Sequence, residues 1–413
     1  MNQLNLHMKK LILLFMAVIV AANVSAQEEN DLYKSENLYF VLSDANKTAT
    51  LSSWKRVHDG VYDNQNCYSG NIVVPEKLDN GYTVTGIGDE CFNVCSELTS
   101  VTLPNTLKTI GKYAFSYCSK LTSISIPGSV ESIDNYCFHE CRAIETLTIE
   151  DSDKPLSIGI STFNLGTVFY ELFGLKTVYV GRNIECERPA FISCRSIKSI
   201  MFGKKVTALQ KSMCNGAEAL EELDLRASIT EIPEKAFYYC YALRRIVLST
   251  NSSISIIGDD AFTCCNITGI DLSKLKLTSI GRYAFSYNVN ATFLNLPETL
   301  TSVGDHAFEN CRSLTEITCD AVTPPSCGGG EVFGSVDWKN CKLIVPEGSV
   351  DVYKSAFVWK NFFNIESGIN ETKNESTVVK DSYSVSGQRT TGNHRGLTIQ
   401  RTSDGQPRKV IVR

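Results

Sequence analysis

The sequence predicts a repeat solenoid, mainly β with short helical or 3-10 turns, built of units of about 23 residues and capped at both ends. Three observations predict it. A phenylalanine recurs at positions 92, 115, 138, 163, 191, 237, 262, 285, 308 and 333, with Met213 filling the missing place, so successive anchors stand 22 to 28 residues apart. Each anchor closes a similar peptide, as in Gly111-Lys112-Tyr113-Ala114-Phe115, Gly281-Arg282-Tyr283-Ala284-Phe285 and Gly304-Asp305-His306-Ala307-Phe308. Aliphatic residues keep fixed offsets from it: one five places before (Ile87, Ile110, Ile133, Ile158, Ile232, Ile257, Ile280, Val303), and an L-x-x-[IV]-x-[IL] run after it.

Residues 1–26 read as a secretory signal peptide: Lys9 and Lys10, an apolar run from Leu11 to Ala22, then Val24-Ser25-Ala26 before Gln27. The run is shorter than the roughly 20 residues of a membrane-spanning helix. Losing Lys9 and Lys10 deepens the formal charge from −5 to −7. Within each unit the alternation at the end of Leu98-x-x-Val101-x-Leu103, Leu121-x-x-Ile124-x-Ile126 and Leu243-x-x-Ile246-x-Leu248 predicts a short strand. Pro104, Pro127 and Pro297 close it, because proline cannot continue a ladder. One unit cannot bury its own apolar face, whereas stacked units can. Asp151 to Ser161 reads as a loop insertion, and residues 151–231 are the irregular part of the array.

The pattern I-G-x-x-A-F-x-x-C-x-x-L-x-x-I-x-[IL]-P, seen from Ile110 to Pro127, resembles the BspA-type, or treponemal, leucine-rich repeat. The resemblance organises the chain: an N-terminal β cap over 27–83, a leucine-rich-repeat solenoid over 84–345 and a C-terminal cap over 346–368. Asn46 to Thr50 and Gly70 to Pro75 carry the likeness at one end, and Leu343 to Pro346 and Trp359 to Phe362 at the other. Either cap would cover an apolar coil end. A polar linker over 369–382 leads to a small β segment over 383–413. That segment is similar to short C-terminal modules on secreted proteins of Gram-negative anaerobes, including those recognised by type IX secretion. The similarity implies a sorting tail; a stabilising β-appendage is the alternative.

Composition narrows the function. With 43% apolar and 21% charged residues the chain is globular, and with 40 basic against 45 acidic residues it has no excess to attract nucleic acid. The 16 cysteines are too few for a disulfide scaffold, in which Cys exceeds about 8–10%. Cys95, Cys118, Cys141, Cys194, Cys240, Cys265 and Cys311 lie three residues after the anchor, and Cys91 and Cys137 one before it. Repeat-locked positions are structural, and a thiol suits a buried slot. Cys91 with Cys95, and Cys137 with His139 and Cys141, have local metal-ligand spacing, but the two groups lie two coils apart, so no zinc site or other cofactor is expected. Cys319 and Cys341, both near the cap, are the best disulfide candidates, although Cys319 occupies a slot held elsewhere by Leu103 and Ile126. Gly328-Gly329-Gly330 lacks the Gly-Lys-Ser/Thr ending of a phosphate loop and reads as a mobile loop. The five histidines sit in no catalytic context.

What remains is the outward face of the strands. Early coils present hydroxyls. Middle coils present Tyr179, Lys198, Met201, Glu221, Glu222, Asp224, Arg244 and Arg245, a candidate ligand-contact ridge that cross-strand charge pairing would also explain. The reading is an exported, non-enzymatic, monomeric protein that is secreted or at the cell surface, the periplasm being a further possibility. The resemblance implies adhesion to a protein or glycan on a host or neighbouring cell, without nucleic acid or a transmembrane anchor. A surface scaffold is one alternative. A polysaccharide-active β-helix is another; it needs clustered acids, for which only Glu221, Glu222 and Asp224 qualify.

Overall fold

The computed structural model describes residues 32–53, 67–159, 167–169, 172–225, 227–248 and 253–368, together with the backbone of the strands Asp381–Ser384, Arg389–Thr390, Gly396–Arg401 and Pro407–Val412. The signal peptide read over 1–26 lies outside them. Contacts divide the chain into two units, Met1–Glu366 and Ser367–Arg413.

The first unit is a mainly β solenoid. Most L-x-x-[IV]-x-[IL] runs contribute a strand, and within two sheets those of consecutive coils pair parallel and in register. Ser123–Ile126, Thr146–Ile149, Thr177–Val180, Ser199–Phe202, Glu222–Leu225 and Arg245–Leu248 form a six-stranded sheet. Ile270–Asp271, Phe293–Leu296, Glu316–Cys319, Lys342–Val345 and Asn364–Ser367 form a second sheet of five. The aliphatic position five before the anchor is itself a strand of two or three residues in most coils, and these pair into a further parallel face, as in Ile110↔Ile133 and Ile280↔Val303. At the N-terminal end this face is extended by the antiparallel strands Tyr33–Ser35, Leu38–Ser43 and Thr48–Ser52.

The anchor segment closes the coil as consecutive turns. The N–H groups of Tyr113, Phe115 and Tyr117 donate to the carbonyls of Asn135, Cys137 and His139 one coil later, while those of Ala114, Ser116 and Cys118 close local turns onto Gly111, Tyr113 and Phe115. Tyr113 and Tyr117 adopt φ of 53° and 59°, and the residues two before and two after the anchor do likewise around Phe285 and Phe308. Every second backbone donor thus points along the stack, so the turn is paired as fully as a strand.

The anchor rings stack inside: Phe92, Phe115 and Phe138, then Phe169 and Phe191, and in a second run Phe237, Phe262, Phe285, Phe308 and Phe333, at centroid spacings of 4.9 to 6.2 Å. Two expected anchors are corrected. Phe169 holds the place assigned to Phe163, which lies outside the described residues. Cys214, not Met213, holds the next: Cys214 N–H donates to Ala236 and Phe191 N–H to Met213, so Met213 sits in the slot that other coils give to Ala or Cys. The insertion is also narrower than 151–161, because Leu156–Ile158 is a regular strand paired to both neighbours.

The cysteine slot has a chemical purpose beyond size. Cys118, Cys141, Cys194, Cys240, Cys265 and Cys311 each point the thiol at the anchor carbonyl of the preceding coil, at 2.8 to 3.4 Å. Asn288 occupies the same slot and donates to Phe262 O at 2.9 Å. Every one of the 16 cysteines is free. Cys319 and Cys341 are not bridged, and the register explains why: Cys319 aligns with Val345, four residues along the strand from Cys341. At about 3.3 Å per residue that is roughly 13 Å, beyond the reach of a disulfide. Cys319 instead lies against the Tyr353 hydroxyl at 3.2 Å.

The last ring, Phe333, is covered by the edges of Trp338, Trp359 and Phe362. The helix Val350–Ser355 supplies Tyr353, whose hydroxyl donates to Ala321 O, and Trp359 Nε1 donates to Pro325 O. Gly328 and Gly329 approach the preceding coil closely, a Cβ at Gly329 lying 2.1 Å from the Asp305 carboxyl, which also accepts the Glu331 N–H, whereas Gly330 faces open space. In the second unit four strands form an antiparallel sheet in the order Arg389–Thr390, Asp381–Ser384, Gly396–Arg401, Pro407–Val412.

Candidate functional site

The six-stranded sheet lines up the outward residues in rows. One row, held by backbone bonds just before the strands, runs Thr122, Glu145, Lys176, Lys198, Glu221, Arg244. The next runs Ser123, Thr146, Thr177, Ser199, Glu222, Arg245, and a third Ser125, Thr148, Tyr179, Met201, Asp224, Val247. All eight ridge residues predicted from the sequence therefore fall in three adjacent rows over four coils.

Their environments differ. Glu221 is ion-paired with Arg244, and Glu222 with Arg245 at 3.6 Å, so the acidic and basic coils compensate each other. Such half-exposed pairs contribute little, about 0.2–1 kcal/mol each. Lys198 is exposed and has no carboxylate partner among the described residues. Met201 is 42% exposed beside it. Asp224 corrects the expectation of an outward acid: at 6% exposure it is buried, although strand parity places it in the same row as Tyr179, Met201 and Val247. Tyr179 is half-buried and donates to Asp151 Oδ1 at 2.8 Å. Burial and then this carboxylate push its hydroxyl up to about 12. Asp151 was missed because it lies past the end of its strand; its signal is the close approach it makes to Gly181 and Gly203, where a Cβ would come within 2.6 and 2.8 Å of Oδ1.

Among the described residues no three or more His, Cys, Asp or Glu side chains converge as metal ligands, and no helix is long and apolar enough to cross a membrane. Cys137 and Cys141 lie in the core, with the Cys141 thiol committed to Phe115 O.

The sequence pattern of the family described as BspA type leucine rich repeat region matches residues 62–167, 85–221, 166–286 and 215–326. The chain belongs to the BspA-type leucine-rich repeat family. Solved structures similar to this BspA-type chain include a leucine-rich repeat protein from Bacteroides ovatus, 23% identical with a TM-score of 0.42, covering 72% of this chain. The match spans 66% of that protein's length. A leucine-rich repeat protein of T. pallidum is 16% identical over 56% of this chain and 88% of its own, with a TM-score of 0.34. A leucine-rich cell surface protein from Faecalibacterium prausnitzii is 18% identical over 83% and 96%, with a TM-score of 0.33. No curated protein matches the chain.

Proposed function

We propose that this BspA-type protein is exported and non-enzymatic, and that it binds a protein or glycan partner at a cell surface through the outward face of the six-stranded sheet. The observation that carries the reading is the run of exposed side chains in register around Lys198 and Met201. A lysine with no carboxylate partner among the described residues and an exposed thioether sit between Tyr179 on one side and the two compensated charge pairs on the other. Such a surface offers the Met201 thioether for apolar contact and the Lys198 ammonium for an acidic group, flanked by compensated charges. Of the three acids that hydrolysis of a polysaccharide would recruit, Glu221 and Glu222 are paired with arginines and Asp224 is buried.

The signal peptide read over 1–26 supports export, and the segment over 383–413 is assigned a sorting role on the same reading. The test is capture on arrays of matrix proteins and glycans by residues 27–413, with release of sugars measured in parallel. Saturable binding without turnover is expected; turnover would replace the reading with an enzymatic one.

A further inference from the structure

The solenoid opens between the strands Arg245–Leu248 and Ile270–Asp271. The two coils are joined just before this point by Asn266 N–H on Leu243 O at 2.9 Å. Beyond it the ladder parts: Arg245–Leu248 pairs with Glu222–Leu225, and Ile270–Asp271 pairs with Phe293–Leu296, but among the described residues not with each other. Ile246 and Leu248 are consequently half-buried, whereas Leu223, Leu225, Leu294 and Leu296 at the same register are fully buried. The wedge leaves a cavity of about 100 Å³ walled by Ile232, Ile246, Leu248, Ile257, Phe262 and Phe285. On the far side the Phe293 ring covers Gly269, where a Cβ would lie 2.3 Å from the ring.

One charged side chain lines the opening, Asp271. Its carboxylate accepts the Ser273 N–H at 3.1 Å and the Ser273 hydroxyl at 2.7 Å; burial opposes the charge, but these donors, a hydrogen bond from Asn295 and the Lys274 charge hold the group below the usual carboxylate range. Asp320 lies within electrostatic reach of both Asp271 and Glu298, and burial followed by these like charges raises its carboxyl, with Lys274 acting against them. The mouth therefore carries one carboxylate, Asp271, and the floor is aliphatic. A closed apolar cavity of about 150 Å³ accommodates benzene, so this one fits a slimmer group of about four or five carbons.

We propose that this wedge binds a short aliphatic primary amine, its chain among Ile246, Leu248, Ile257 and Phe262 and its ammonium on Asp271. Volume sets the chain length, and the Asp271 carboxylate at the mouth selects a cation over an alcohol or an acid. The proposal is independent of partner binding on the strand face.

The test is titration of the full chain with ethylamine, butylamine, pentylamine, 1-pentanol and pentanoate, followed by amide and methyl chemical shifts. Affinity is expected to rise about fourfold per added methylene up to pentylamine. Pentylamine should bind at least tenfold more tightly than 1-pentanol, with pentanoate weakest. Asp271→Asn, at the exposed mouth, should erase the preference for amine over alcohol, and Ile246→Phe, which fills the cavity, should abolish binding of both. No dependence on chain length, equal affinity for amine and alcohol, or shifts away from Ile246, Leu248 and Phe262 would overturn the proposal. The ligand series on the unaltered chain decides it even where a variant fails to fold.

Discussion

The thiol of Cys141 donates to the carbonyl oxygen of Phe115, one coil earlier, across 2.8 Å. That carbonyl already accepts the Cys118 N–H closing its own turn, so the thiol is a second donor that ties coil to coil. Valine is close to cysteine in size but has no donor. Cys141→Val should therefore lower stability by about 0.5–1.5 kcal/mol, the net worth of a buried hydrogen bond, and Cys141→Ala by more because it also leaves a void. Urea unfolding measures both. A valine variant as stable as the parent would show that the slot selects for volume alone.

Buried thiols also make the fold sensitive to alkali. Burial raises the thiols of Cys194 and Cys311 to about 12, against about 8.5 in an unfolded chain. Below pH 8.5 both states keep the proton and this contribution is intact. Between roughly pH 9 and 12 the unfolded chain releases protons that the folded chain retains, so the unfolded state binds fewer protons and stability falls as pH rises. The loss approaches about 1.4 kcal/mol per pH unit for each such thiol. The urea midpoint should drop between pH 8 and 10.5 and stay level between 7 and 8. In denaturant without reductant all 16 thiols should react with a disulfide reagent, while the native protein should offer mainly the half-buried Cys67, Cys186, Cys264 and Cys327.

Arg182 is fully buried, and its guanidinium donates to the carbonyls of Pro127, Gly128 and Val130 at 2.7 to 3.1 Å. These carbonyls belong to the end of an earlier coil, next to the irregular stretch. Burial pulls the guanidinium below its ordinary value, with Glu150 acting against that pull. Arg182→Leu removes a buried charge but leaves the Gly128 and Val130 carbonyls without this donor, while Pro127 O keeps the Val130 N–H, so a net loss of about 2–4 kcal/mol is expected. An unchanged thermal midpoint would contradict the assignment.

The fold was legible where one residue type does one job. Phenylalanine at a near-constant period announces a ring stack, and alternation in L-x-x-[IV]-x-[IL] announces a strand. Legibility failed where two neighbours share a character: Met213 and Cys214 are both apolar, and only the backbone pairing separates them. It failed again near Phe163, because Phe163 keeps the upstream Ile158 while Phe169, six residues later, keeps the downstream Leu175-x-x-Val178-x-Val180. For the site, parity predicted the rows, yet Asp224 in the outward row is buried, which no single-unit pattern contains. The wedge at Ile246 was hidden for a similar reason. Leu243 to Leu248 has a regular pattern, and the missing ladder is a property of two coils together.

The central claim is that the strand face around Lys198 is the contact surface, and the ion pairs show how to test it without harming the fold. Exchanging partners within both pairs, Glu221→Arg with Arg244→Glu and Glu222→Arg with Arg245→Glu, keeps each bridge while inverting the charges presented. Adding Lys198→Glu and Met201→Asp removes the exposed centre. Affinity of this variant and of unaltered residues 27–413 for the captured partner is the deciding measurement, with melting temperature as the control. The account predicts at least a tenfold loss of affinity with little change in melting; unchanged affinity in a folded variant would contradict it.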